Sequence, residues 1–104
     1  KSGKVLVVGW GSSFGAIREA VNRSTKENHN VGHVHLRHLN PFPLNLGETL
    51  LKYQNILVPE MNSGQLLLLL RGKFLIDASG LNKVQGKPIG VDEVYDKIIE
   101  LAGG

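Results

Sequence analysis

The chain has 104 residues and a mass of 11.3 kDa, room for one domain spanning residues 1–104 and for no second. Twelve Lys and Arg against nine Asp and Glu give a net charge of +3, but the basic residues are scattered, which argues solubility rather than nucleic-acid binding. The absence of cysteine excludes disulfides, thiolate metal sites, iron–sulfur ligation and a catalytic thiol within these residues. The longest aliphatic run, Leu66 to Leu70, is far short of the ~20 residues a membrane helix needs. With no charged-then-apolar leader in view, no membrane partner and a cytoplasmic location are expected.

The first apolar run, Val5-Leu6-Val7-Val8, is continuous rather than alternating and closes at Gly9. That pattern predicts a strand covered on both faces, as in a parallel sheet. Ser12 or Ser13 can cap a following helix, in which Phe14, Ile17, Ala20 and Val21 recur at spacings of three and four. The helix fades in the polar stretch Thr25 to Asn30. Val31 to Leu36 alternates as a second strand, and Asn40-Pro41-Phe42-Pro43 then breaks the chain. Asn45 with Glu48 has the spacing of a capping box for a short helix through Leu50, Leu51 and Tyr53. Ile56-Leu57-Val58 predicts a third strand, Gln65 to about Lys73 a third helix, and Phe74-Leu75-Ile76-Asp77 a fourth strand. Leu81 to Gly90 reads as a loop. Val91, Val94, Ile98 and Leu101 predict a last helix, with Asp92 and Glu93 well placed in its first turn. Strand and helix alternate four times, which calls for a three-layer α/β domain with a parallel sheet and right-handed crossovers.

Three segments are candidates for chemistry. Gly9, Gly11, Ser12 and Gly15 lie between a strand and a helix, where dinucleotide enzymes place a phosphate turn. Their G-x-G-x-x-x-G spacing is the NADP-type variant, although any tight turn of this kind favours Gly and Ser, and Trp10 crowds the phosphate position. His33 and His35 share a strand face, yet no carboxylate is near in sequence to complete a metal set. The bland alternative is a pair of sheet histidines against a covering helix or a neighbouring chain; no metal site is assigned. Glu60-Met61-Asn62-Ser63-Gly64-Gln65 joins a carboxylate, amides and a glycine at a strand-to-helix junction, residue types that capping and a turn explain equally well. No nucleophile–base pair can be named, so no catalytic residue is assigned.

The run Gln65 to Leu70 is apolar around the whole helix. At 100° per residue, Leu66, Leu69, Leu70 and Lys73 fall on one side, and Leu68 lies nearly opposite with Arg71 and Gly72. Turning the core direction toward Phe74 leaves Leu69 ambiguous and Leu68 still outside. Leu68 is therefore expected on a surface that meets another domain or subunit.

Five blocks occur in order: Val5 to Ser12, His33 to Arg37, Leu39 to Pro43, Val58 to Leu66 with its Pro59-Glu60-Met61-Asn62-Ser63-Gly64-Gln65 core, and Asn82-Lys83-Val84-Gln85-Gly86. Together they resemble the C-terminal domain of the alpha subunit of 2-oxoglutarate:ferredoxin oxidoreductases, in the 2-oxoacid:acceptor oxidoreductase family. The resemblance implies a transketolase C-terminal-like fold with strand order 2-1-3-4, and it allows an extra edge strand. It also implies that this is a piece of a longer subunit. The parent enzyme would decarboxylate a 2-oxoacid on thiamine diphosphate with magnesium, pass electrons through an iron–sulfur cluster to ferredoxin, and form an acyl-CoA with coenzyme A as co-substrate. These residues carry no Gly-Asp-Gly…Asn diphosphate–magnesium motif and no cysteine, so no cofactor is expected in this piece. The implied role is a non-catalytic assembly domain touching the rest of the alpha subunit and the beta subunit, with Glu60, Asn62, Gly64, Gln65, Leu68, Asn82, Gln85 and Gly86 as interface or family-motif residues. Two alternatives remain open: an NADP-binding module on the Gly9–Gly15 turn, and a free-standing protein-interaction domain.

Overall fold

Because both faces of Val5-Leu6-Val7-Val8 are apolar, this run can be central only in a sheet covered on both sides. In the computed structural model, which describes residues 3–10, 14–36, 45–60, 65–74, 78–82 and 90–103, it forms the middle of strand β1 (Gly3–Trp10). The remaining elements are α1 (Phe14–Lys26), β2 (Val31–Leu36), α2 (Leu46–Leu51), β3 (Tyr53–Glu60), α3 (Gln65–Phe74), β4 (Ala78–Asn82) and α4 (Val91–Leu101). The four strands form one sheet in the order β2-β1-β3-β4, and all three pairings are parallel. The order matches the one implied by the resemblance; no fifth strand occurs among the described residues.

Alternate residues of β1 feed two cores. Leu6 and Val8 pack with Ile56, Val58, Leu46, Leu50, Leu66 and Leu70, beneath α2 and α3. Val5 and Val7 pack with Leu57, Ile17, Ala20, Val21, Val94 and Ile98, beneath α1 and α4. The strand's period of two divides one apolar run between two helical layers.

Local hydrogen bonds finish α1 and α4. At the end of α1, Asn28 takes the left-handed backbone conformation (φ 69°), and His29 N–H donates to Ser24 O at 3.1 Å, satisfying a terminal carbonyl. Ser24 is buried but satisfied, its hydroxyl donating to Ala20 O at 2.9 Å. Glu93 accepts from Gly90 N–H at 3.1 Å and so closes the start of α4. The Asn55 amide donates to Leu101 O at 2.9 Å and to Lys4 O at 3.3 Å, tying the end of α4 to the sheet.

Four expectations are corrected by tertiary contacts. Among the described residues the fourth strand lies at Ala78–Asn82, which takes Leu81 and Asn82 out of the expected loop. Phe74 instead completes α3, one turn beyond the buried Leu70, with its ring against Gly47 of α2. Residues 75–77 lie outside the described set. β3 starts at Tyr53, not Ile56, because Tyr53, expected in the second helix, pairs with Gly3 of β1; its side chain reaches across to Gly32, where a Cβ would run into the Tyr53 hydroxyl and ring. Asn45 precedes α2 but makes no side-chain cap, so the Asn45–Glu48 capping box does not form. Finally, Phe14 is 43% exposed instead of buried beside Ile17.

Gly72 sits inside α3 with open space where a Cβ would project. Gly72→Ala should therefore raise stability by about 0.5–1 kcal/mol, through lower backbone entropy in the unfolded chain. Urea unfolding of the two proteins checks this; an unchanged or lower midpoint would contradict it.

Candidate functional site

A parallel sheet with helices on both faces has one place where successive connections leave in opposite directions. Here β1 passes through the α1 layer to β2, and β2 returns through the α2 layer to β3, so the reversal falls between β1 and β3. In folds of this kind the carboxyl ends of the strands flanking the reversal are where ligands are commonly bound. The β1 end is Trp10, half-buried against the α2–α3 core. The β3 end is Glu60, whose backbone register pairs it with Asn82 at the end of β4. Two motif blocks separate in sequence thus reach adjacent strand ends on one edge of the sheet. Gln65 opens α3 on the same edge. Gly11, Ser12, Asn62, Gly64, Gln85 and Gly86 lie outside the described residues.

Gly9 lies within β1 and is buried. The place its side chain would occupy is filled: a Cβ would lie 2.6 Å from Ile17 Cδ1 and 2.8 Å from His35 Nδ1. The absence of a side chain is used by packing within the fold. Gly15, in the first turn of α1, has nothing within 4 Å of such a Cβ and is exposed. Neither glycine shows a steric feature reserved for a ligand.

His33 and His35 share the α1 face of β2, as their spacing predicts. Their rings meet edge-on at 5.8 Å, and the Phe14 ring covers both, at 5.6 Å from His33 and 5.0 Å from His35. Arg18 lies 6.0 Å above Phe14. The pair is thus in contact with the covering helix, and among the described residues no three His, Cys, Asp or Glu gather to hold a metal ion. Burial, then the neighbouring His35 and Arg18 charges, hold His33 below its ordinary pKa of 6.5. Unfolded chains bind this proton more readily, so native stability is full above pH 6.5. It falls as pH drops below 6.5, and the loss is complete below the lowered native pKa. The urea midpoint should decrease from pH 7.5 to pH 5, and His33→Gln should remove part of that slope. An identical slope in the variant would count against His33 as its source.

Sequence reasoning missed two groupings that only the fold assembles. One is the Phe14 lid on the histidines. The other joins α1 to α4: Arg23 pairs with Asp92 at 3.0 Å and lies 4.0 Å over the Tyr95 ring, whose hydroxyl donates to Glu27. That hydrogen bond and the Glu27 charge raise the pKa of Tyr95. On the opposite layer large apolar side chains stand exposed among charged ones. Leu68 is 66% exposed and Leu51 69%, while Leu66 and Leu70 are fully buried. Leu69, which the helical spacing leaves ambiguous, is 40% exposed, so α3's buried stripe is narrower than its leucine run.

The architecture is that of a doubly wound three-layer α/β domain, with Trp10, Glu60 and Asn82 at the carboxyl ends of their strands and exposed leucines on one helical layer. The model for the pyruvate:ferredoxin oxidoreductase core domain II matches residues 3–94, and the chain belongs to that family. The 2-oxoglutarate oxidoreductase subunit KorA of Mycobacterium tuberculosis is 48% identical over 91 residues, covering 88% of this chain and 14% of that protein. The structure of the 2-oxoglutarate:ferredoxin oxidoreductase from Magnetococcus marinus, solved with 2-oxoglutarate, coenzyme A and succinyl-CoA bound, is also similar. It has a TM-score of 0.91 and 26% identity, over 97% of this chain and 18% of that one. The chain thus spans less than a fifth of either relative's length. Among the described residues no helix is long and apolar enough to cross a membrane.

Proposed function

We propose that the chain is a non-catalytic assembly domain of a thiamine-diphosphate-dependent 2-oxoacid:ferredoxin oxidoreductase, with 2-oxoglutarate as the substrate. The observation that carries this reading is the 48% identity to a 2-oxoglutarate oxidoreductase subunit across 88% of the chain. The parent enzyme would oxidatively decarboxylate the 2-oxoacid, form an acyl-CoA and reduce ferredoxin. The residues present do not fit its cofactors. An iron–sulfur cluster needs thiolates, and the chain has no cysteine. The sequence also lacks the Gly-Asp-Gly…Asn diphosphate–magnesium motif. No step of the reaction is therefore assigned to this domain, whose part would be to hold other domains of the alpha subunit and the beta subunit around a site formed elsewhere.

The chain by itself should accordingly be silent with 2-oxoglutarate, coenzyme A, thiamine diphosphate, magnesium and a viologen acceptor. The full parent enzyme should reduce the dye under the same conditions. Dye reduction by the chain alone would overturn the assembly role, and a parent that ignores 2-oxoglutarate would overturn the substrate.

A further inference from the structure

The cluster between β2 and α1 suits neutral histidine and resists charged histidine. His33 Nε2 is buried and has no hydrogen-bond partner among the described residues. A neutral imidazole can leave one nitrogen as a bare acceptor, whereas an imidazolium carries N–H on both. Protonating His33 under Phe14 therefore buries a charged donor that has nothing to donate to, the costlier defect. The neighbouring charges add to that cost. From β1, the register partners Val7 and Gly9 bring no charge; β2 brings His35, α1 brings Arg18, and both oppose the proton on His33. Glu19, the one acid of α1, is exposed. A lone imidazolium rests well on an aromatic face, but Arg18 already stands over the Phe14 ring.

We propose that His33, His35 and Phe14 form an acid-released catch on the first turn of α1: proton uptake parts Phe14 from the histidines and unwinds that turn, while β1 and β2 stay paired. Phe14 is the part that yields. It opens α1 with no helical turn before it, and it is 43% exposed, whereas β2 is held by β1 from Val31 to Leu36. It also stands four positions after Trp10, the end of β1, so the change is delivered at the carboxyl edge of the sheet. Once released, His33 regains its ordinary pKa of 6.5, above the value it has when covered. Release therefore grows as pH falls below 6.5 and levels off below the lowered value.

Hydrogen exchange of the full-length subunit, read peptide by peptide and corrected for its intrinsic pH dependence, tests the catch. The N–H groups of Arg18 to Val21 bond to the carbonyls of Phe14 to Ile17 and so report the first turn. From pH 7.5 to pH 5.5 their protection should fall by about threefold or more, with roughly tenfold the ceiling for one proton. Protection of Tyr95 to Ile98 in α4 should hold steady. His33→Gln, which takes up no proton, should abolish the fall, and Arg18→Gln, which removes one opposing charge at an exposed position, should shrink it. No fall, a fall that survives His33→Gln, or an equal fall in α1 and α4 would overturn the proposal, the last by showing that acid loosens the whole domain. Where His33→Gln does not fold, Arg18→Gln decides: an undiminished fall overturns the catch. No substrate or cofactor enters the measurement, so its result stands apart from the proposed activity.

Discussion

Leu66→Lys should leave the chain unfolded at room temperature, whereas Leu68→Lys, two residues along the same helix, should shift its melting temperature by no more than a few degrees. Leu66 is fully buried against Leu6, Ile56, Val58 and Leu70 of the sheet and its covering helices. A lysine there must bury an ammonium with no partner or break the packing of α3. Either cost is several kcal/mol, comparable to the roughly 5–15 kcal/mol total stability of a domain. Leu68 is 66% exposed, so the same substitution only exchanges one solvated side chain for another. Within the parent enzyme the second variant should loosen the domain's docking, because one buried leucine contributes about 1.5–3 kcal/mol. Circular dichroism melts of both variants, with gel filtration of the assembled enzyme, check these outcomes. Equal destabilisation by the two lysines would show that α3 is surrounded by its own chain and has no partner face.

Gly9→Val should destabilise the chain by about 1–3 kcal/mol or more, the range for overpacking a filled core. The first atom of any side chain at Gly9 meets Ile17 Cδ1 at 2.6 Å and the His35 ring at 2.8 Å. Ile17 can rotate its terminal methyl, but the imidazole would have to give up its edge contacts with Phe14 and His33 to retreat. Gly15→Ala, by contrast, meets nothing within 4 Å and should be neutral or slightly stabilising. Paired denaturation curves separate the positions. A Gly9 variant as stable as the parent chain would mean that the β2 histidines yield easily, and that the glycine has another purpose.

These two glycines mark the boundary of what a sequence can say. Gly9, Gly11 and Gly15 form one motif on paper, yet Gly9 is a packing position inside β1 and Gly15 an open position on α1. Spacing records which residues are glycine; which neighbour needs the absent side chain is set by pairing across the sheet. The His33–His35 reading survived because a strand's period of two is local, so their shared face was already determined. Phe14 did not follow its apparent helical stripe, because it stands at the first position of α1, where β2 offers rings to cover rather than a core to enter.

By itself the sequence determined the alternation of four strands and four helices, the two-sided burial of β1, and the outward position of Leu68. Each follows from local periodicity or from a continuous β-branched run. Its ordered motif blocks also pointed to the family and to the strand order. Only the tertiary structure placed β4 on Ala78–Asn82, a segment of small and polar residues with weak strand preference, because the free edge of β3 supplies its hydrogen bonds. Only it brought Glu60 into register with Asn82, and only it revealed that one helical layer is laced with charge while the other presents leucine. Those features depend on contacts between residues far apart along the chain, and such contacts leave no period to read.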